Sequence, residues 1–266
     1  MNYGKINNKI SRIEKKLEEQ TAKAEKSDEL NRRLNSILDG IMHETRRLNS
    51  EISAYCEELT GAVGRKEYQR AEECAETMFF LSGLISSRLT FADFELNPQS
   101  LSRQSKVRTG IYRKFDKIRR VLHKNAKHKK IKIDFHGNSY AEVEAIQAFE
   151  LVPFVILDNA IKYSPQEQPI KVEFQDRPSQ TCIASVVVSS VGPTVSQEEL
   201  NGLVARGARG KNAIGSKIPG DGIGLFLAEM LCKGASASLK LESSKNVTFS
   251  LGGVDYSEFK VSIDFK

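Results

Sequence analysis

Apolar residues recur every three or four positions over residues 4–62: Ile6, Ile10, Ile13 and Leu17, then Leu30, Leu34, Ile37, Leu38, Ile41, Leu48, Ile52, Tyr55 and Leu59. This spacing predicts one long helix with a single apolar stripe. The more polar stretch 20–31 predicts a weak coiled coil or a break. Gly61 and Gly64 punctuate the end of the helix. A second helical pattern over 66–89 carries Tyr68, Ala71, Cys74, Ala75, Met78, Leu81, Ile85 and Leu89. Two helices joined by a short turn make a hairpin. A helix this long cannot bury its stripe alone, and two hairpins pack as a four-helix bundle, which predicts a homodimer.

The period changes after a connection at 91–101 that contains Pro98, the first proline of the chain. A basic helix is expected over 106–127, and Ile131, Ile133 and Phe135 alternate as a strand. Residues 145–163 read as a helix with Pro153 as an interior flaw that kinks it or marks a boundary near Val152. Strands are expected at 170–174, 183–188, 237–241 and 259–265, and a helix at 222–233. Residues 193–219 hold six glycines or prolines and little periodicity. Strands alternating with helices indicate an α/β sandwich. The fold class is α+β, an N-terminal helical hairpin followed by that sandwich.

Composition changes this picture little. No apolar run approaches the roughly 20 residues that cross a bilayer, and the polar N-terminus is not a secretory signal. The expectation is a cytoplasmic protein without a membrane span. The four cysteines, Cys56, Cys74, Cys182 and Cys232, lack zinc or redox spacing and read as reduced, packed thiols. His123, His128 and His136 read as surface residues. The net charge of +6 is uneven: residues 103–132 hold thirteen Lys or Arg against Asp116 alone, leaving the rest at −6. A basic run can be a solvated face, a partner site or a nucleic-acid patch. With only Tyr112 and Phe115 as aromatics, it does not advertise base stacking, and nucleic acid is disfavoured.

Two segments carry candidate chemistry. In Asp158-Asn159-Ala160-Ile161-Lys162-Tyr163-Ser164-Pro165, at the end of an apolar helix, Asn159 offers an amide oxygen suited to Mg²⁺. Lys162 can meet phosphate charge and Tyr163 supplies a flat ring for adenine. In Gly220-Asp221-Gly222-Ile223-Gly224-Leu225, opening a helix, glycines let backbone N–H groups approach phosphates. This second segment follows a loop carrying Arg206, Arg209, Gly210, Lys211 and Lys217, a composition that suits a mobile lid.

In this order the motifs resemble the GHKL ATPase superfamily, its histidine-kinase branch in particular. Asn159 and its neighbours look like the N box, Gly192-Pro193 sits at the first glycine box, residues 203–210 resemble the stretch after it, and 220–225 look like the second glycine box. The resemblance implies a Bergerat-type fold over 105–266 that holds ATP and Mg²⁺. It implies cofactor contacts from Asn159, Lys162, Tyr163, Ser190, Gly192, Arg209, Gly220, Gly222, Gly224 and Leu225, with Asn159 as metal ligand. Two positions depart from the family: Ser190 stands where an Asp usually recognises the adenine amino group, and Val155 where a second Asn or Glu is common.

His43, in Ile41-Met42-His43-Glu44-Thr45-Arg46, falls outside the seam rows Leu38, Thr45, Ile52, Leu59 and Ile41, Leu48, Tyr55. That outward place alone reads as an ordinary exposed His; the resemblance of a hairpin before such a domain to the histidine-phosphotransfer domain makes it the phosphoacceptor candidate, with Glu44 beside it as general-base candidate. The match to the family's H box holds at His43, Glu44 and Arg46, and lapses at the usual Thr/Asn and Pro. The implied organisation is a signal helix at 1–35, a dimerisation and histidine-phosphotransfer hairpin at 36–98, and the catalytic domain at 105–266. The implied activity is autophosphorylation of His43 and transfer to a response-regulator receiver Asp, with the signal arriving through the N-terminal helix or an upstream sensor protein. A nucleotide-degenerate relay or scaffold of the same fold is the alternative, and a nucleic-acid-associated protein of that superfamily a third.

Overall fold

The polar stretch 20–31 does not interrupt the first helix. In the computed structural model, which describes residues 3–97, 99, 103–176, 182–216, 218, 220 and 222–266, α1 runs unbroken over Tyr3–Gly64. Long straight-chain and charged residues have good helix propensity, which suffices where no packing decides the matter. Ile41 and Leu48 on the expected seam are buried, and Leu38, Thr45, Ile52, Tyr55 and Leu59 are half-buried. Gly61 and Gly64 lie inside the helix rather than in the turn. The left-handed turn residue is Lys66, at φ 62°, and the Glu67 N–H closes the turn on the Ala62 carbonyl at 2.8 Å. The second helix, α2, spans Tyr68–Leu96. Arg70 reaches back to Glu58 at 2.7 Å, so the helices run past each other in opposite directions. Pro98, in the expected connection, lies outside the described residues.

By internal contacts the chain divides into Met1–Arg46 and Arg47–Lys266. The second unit contains β1 (Lys106–Gly110), α3 (Ile111–Val121), α4 (His123–His128), β2 (Ile133–His136), β3 (Glu142–Ile146), α5 (Leu151–Tyr163), β4 (Ile170–Asp176), β5 (Ala184–Pro193), α6 (Gln197–Leu200), α7 (Lys211–Gly215), α8 (Gly224–Gly234), β6 (Ala237–Leu251) and β7 (Val254–Phe265). Five strands form one sheet in the order β2-β4-β5-β7-β6, with β2 parallel to β4 and the other pairs antiparallel. Period-two alternation turns Ile170, Val172 and Phe174, and Val261, Ile263 and Phe265, to a single core face. There they meet α3, α5 and α8 through Phe115, Ile118, Val152, Ile156, Leu227 and Leu231.

Two expectations are corrected. Residues 106–110 form a strand, not the start of a helix, because they pair with β3 from Lys106↔Ile146 to Gly110↔Glu142. The helix expected from 145 begins at Leu151, after a 3-10 turn at Gln147–Glu150. Pro153 therefore falls in its first turn, where a missing N–H costs nothing, and no kink is needed.

The basic run is largely consumed within the fold. Lys114 and Lys117 share Glu150, Arg119 and Arg120 share Asp116, Lys130 pairs with Glu167 and Lys132 with Asp134. Lys124 donates to the Thr77 hydroxyl at 3.1 Å and lies over the Tyr55 ring. Within the second unit α2 packs on the sandwich at two aromatic points. Phe80 meets Phe154, and Gly83 approaches so closely that a Cβ there would lie 2.7 Å from the Phe154 ring. Further along, Phe91 and Phe94 both meet Phe226.

His123, His128 and His136 are exposed, as expected. All four cysteines are free. Cys74 and Cys232 are buried, but Cys56 is exposed rather than packed. Among the described residues no helix is long and apolar enough to cross a membrane.

Candidate functional site

The core face of the sheet, the C-terminal end of α5 and the loop before α8 enclose one pocket. Val188, Ser190 and Gly192 alternate along β5 and present the same face to it, with Val261 and Phe259 opposite Val188 and Ser190 on β7. Across from this wall, Ile156, Asn159, Ala160 and Tyr163 line the pocket from one side of α5, as three- and four-residue steps require. The helix buries every residue from Leu151 to Leu157, and its polar residues begin only at Asp158. The apolar run thus seats the helix on the sheet and delivers Asp158, Asn159, Lys162 and Tyr163 at its open end.

The glycine segment meets that end residue by residue. A Cβ on Gly220 would lie 2.7 Å from the Lys162 ammonium and 3.4 Å from the Tyr163 hydroxyl. One on Gly224 would lie 3.2 Å from the Asn159 amide nitrogen and 3.0 Å from Val155. Gly222, at φ +71°, faces the other way: a Cβ there would lie 2.5 Å from the Ala208 carbonyl oxygen. Its own carbonyl accepts from the Gly207 N–H at 3.2 Å. Motifs some sixty positions apart are thereby locked together, and the lid loop is tied to the same segment.

That lid is more ordered than its glycines suggest. Ser196 and Glu199 form a capping box at the start of α6. The Glu199 carboxylate also accepts from the Lys211 N–H at 2.9 Å, and the Asn212 amide donates to the Thr194 carbonyl at 2.8 Å. Arg209 lines the pocket and donates to the Ala213 and Ile218 carbonyls, while its buried Nε has no partner among the described residues. Lys217, Pro219 and Asp221 lie outside the described residues.

Electrostatics at the end of α5 are unusual. Burial pushes the Asp158 carboxyl up to about 6, against the pull of Lys162 and Lys129. The Lys162 ammonium lies 5.2 Å from the centre of the Tyr163 ring. Val155 is buried against Gly224, so an apolar contact occupies the place where a further polar ligand was sought. Among the described residues no cluster of three His, Cys, Asp or Glu side chains could hold a metal by itself. Asn159, with its amide on the pocket side of α5, is the residue there whose side-chain oxygen suits a hard divalent cation.

Of the site residues expected from sequence, Asn159, Lys162, Tyr163, Ser190, Gly192, Arg209, Gly220, Gly222 and Leu225 line this pocket, and Gly224 packs beneath Asn159. His43 belongs to the Met1–Arg46 unit and is exposed on α1, and the Glu44 side chain lies outside the described residues. Leu203, which the sequence placed in the family-like stretch 203–210 without a site role, and Ala213, which it did not single out, close the pocket from the lid. An apolar Leu inside a polar, glycine-rich loop was the available signal.

No family model and no curated relative matches the sequence. Solved structures do. Full-length ShkA in complex with AMPPNP aligns with a TM-score of 0.50 at 12% identity, covering 83% of this chain and 46% of that one. The chain shares the fold of that structure. The cytoplasmic segment of the histidine kinase QseC aligns at a TM-score of 0.46 and 14% identity, over 68% of this chain and 92% of that one. The Acinetobacter baumannii histidine kinase AdeS aligns at 0.47 and 16%, over 84% and 98%.

Proposed function

We propose that this chain is an ATP-dependent protein histidine kinase that phosphorylates itself on His43 and passes the phosphoryl group to an Asp of a response-regulator receiver domain. The observation that carries this reading is the glycine-by-glycine seating of Gly220 and Gly224 against Lys162, Tyr163 and Asn159. A decayed site has no physical need for such close backbone approach. The adenine lies against the β5 wall at Ser190 and beside Tyr163. The phosphates lie toward Lys162, Arg209 and the start of α8, since a helix N-terminus favours anions. Mg²⁺, held by Asn159 and the phosphates, supplies charge neutralisation when bound.

A neutral imidazole nitrogen of His43 attacks the γ-phosphorus as the bond to the β,γ-bridging oxygen breaks. ADP leaves, and Glu44 takes the imidazole proton. The assembly is a cytoplasmic homodimer paired through its hairpins, organised as a signal helix (1–35), a hairpin (36–98) and a catalytic domain (105–266), with its signal from an upstream sensor. ShkA was solved in complex with AMPPNP, and a nucleotide ligand for this chain is consistent with that.

Incubation with γ-labelled ATP and Mg²⁺ tests it. The expected label is lost in acid, kept in alkali, and absent from His43→Gln, which still binds ATP. Label that persists in His43→Gln removes that assignment. Two features, Val155 packed against Gly224 and the uncharged Ser190, favour a second reading, a nucleotide-degenerate relay or scaffold. No label together with no thermal stabilisation by millimolar Mg-ATP selects it.

A further inference from the structure

Twelve of the thirteen cations in the basic run are surface charges, ion-pair members or hairpin contacts, but Lys129 is placed differently. It follows α4, and its ammonium is directed at the C-terminus of α5. There it donates to three carbonyl oxygens: Ile161 at 2.9 Å, Lys162 at 2.7 Å and Ser164 at 2.9 Å. Helix-terminal carbonyls such as these lack intrahelical partners and carry the negative end of the helix dipole. The turn is held from the main chain as well. The Lys129 carbonyl accepts from the Glu167 N–H at 2.9 Å, and Ser164 N–H donates to Ala160 at 3.1 Å. Ser164 itself is fully buried.

We infer that Lys129 is a positioning residue: it fixes the last turn of α5 and so holds Lys162 and Tyr163 at the pocket. This rests on the nucleotide reading of that pocket. An ammonium with three donors satisfies three converging carbonyls at once, which no neutral side chain of similar length does. Two of these carbonyls belong to the residues that follow Ala160 in the turn carrying Lys162 and Tyr163. Burial lowers the Lys129 pKa and Asp158 opposes this only in part, so the three carbonyl contacts rather than a favourable field fix the side chain. Neighbouring Lys130, exposed and paired with Glu167 at φ 54°, makes none of these bonds. Lys130→Gly is therefore the control, since glycine accepts that backbone angle.

The test compares the full chain with Lys129→Met, Lys129→Arg and Lys130→Gly by hydrogen exchange, Mg-ATP titration and labelling kinetics. In Lys129→Met, amides of residues 161–164 should exchange about tenfold faster and the Kd for Mg-ATP should rise about tenfold, as lost hydrogen bonds to a charge imply. The labelling rate at saturating ATP should stay within about twofold, since uniform binding alone is lost. Lys129→Arg, which keeps the charge but converges less well, should recover part of the affinity, and Lys130→Gly should match the unchanged chain. Unaltered exchange, or faster exchange with unaltered Kd, overturns the inference while unchanged-chain binding stands. No Mg-ATP binding by the unchanged chain overturns the nucleotide reading and this role with it. Should Lys129→Met not fold, Lys129→Arg decides: weaker binding at an unchanged labelling rate supports the role, and unchanged Kd overturns it.

Discussion

Phe226 meets Phe91 edge-on, with ring centroids 6.1 Å apart and planes at 80°. Phe226 stands on the first turn of α8, two positions beyond Gly224, and it also touches Phe94 at 5.6 Å. Arg206, from the lid loop, lies over the other partner, Phe91, at 5.5 Å. A single cluster on α2 therefore touches both the glycine segment's helix and the lid. Phe226→Ala should lower the stability of the chain by about 1–3 kcal/mol, as loss of a half-buried ring and two aromatic pairs implies. Urea unfolding checks this, and a change under about 0.5 kcal/mol removes the cluster from the account.

Gly222 combines a left-handed backbone with the 2.5 Å approach to the Ala208 carbonyl. Gly222→Ala should cost about 1–3 kcal/mol from strain alone and should also abolish stabilisation by Mg-ATP, because the glycine segment must leave the lid. Gly252 has a similar angle, φ +59°, but open space around it. Gly252→Ala should be milder and keep the response to nucleotide. Thermal unfolding of both variants with and without Mg-ATP separates angle from contact.

Asp158 has a folded pKa of about 6 against an ordinary 3.8. The folded chain thus holds a proton that the unfolded chain releases. The stability this contributes is complete below about pH 4 and is lost as pH rises through about 6. Asp158→Asn should remove this slope, leaving a stability difference between pH 4 and pH 7 that is smaller by about 1–3 kcal/mol. Denaturant unfolding across that range gives the answer, and parallel curves for both proteins refute it.

Ser190 sits on the pocket face of β5 between Val188 and Gly192. Its hydroxyl can donate or accept, so it distinguishes an amino group from a carbonyl poorly. Ser190→Asp should tighten Mg-ATP binding about tenfold and weaken Mg-GTP, through a charge-assisted bond to the adenine amino group. Competition titration with both nucleotides checks it. Equal affinities in the variant would mean that the base does not reach this strand.

The parts of the fold that were readable from sequence are those whose pattern is imposed by one buried face. Ile170, Val172 and Phe174 alternate because the sheet has a covered side, and residues 151–157 are uniformly apolar because α5 is covered on nearly every side. β1 was hidden because three of its five residues are exposed and basic or lie beside basic residues, and only pairing with β3 makes it a strand. The long ends of β6 and β7 escaped for the same reason, since 242–250 is mostly polar. The site motifs were legible as residue types. Their mutual contacts were not, since the seating of Gly224 under Asn159 and the reach of Lys129 to Ser164 exist only once the chain is folded.

The strand order places β2 at one border of the sheet and β6 at the other. β2 is four residues long, flanked by the Lys132–Asp134 pair. β6 carries Lys240 in a bridge to Asp264 and breaks its register on both sides of Val247. Short length, charge and irregular spacing each spoil a border as a template for another chain. Neither border of the five-stranded sheet therefore offers another chain a long, regular ladder of main-chain bonds to extend.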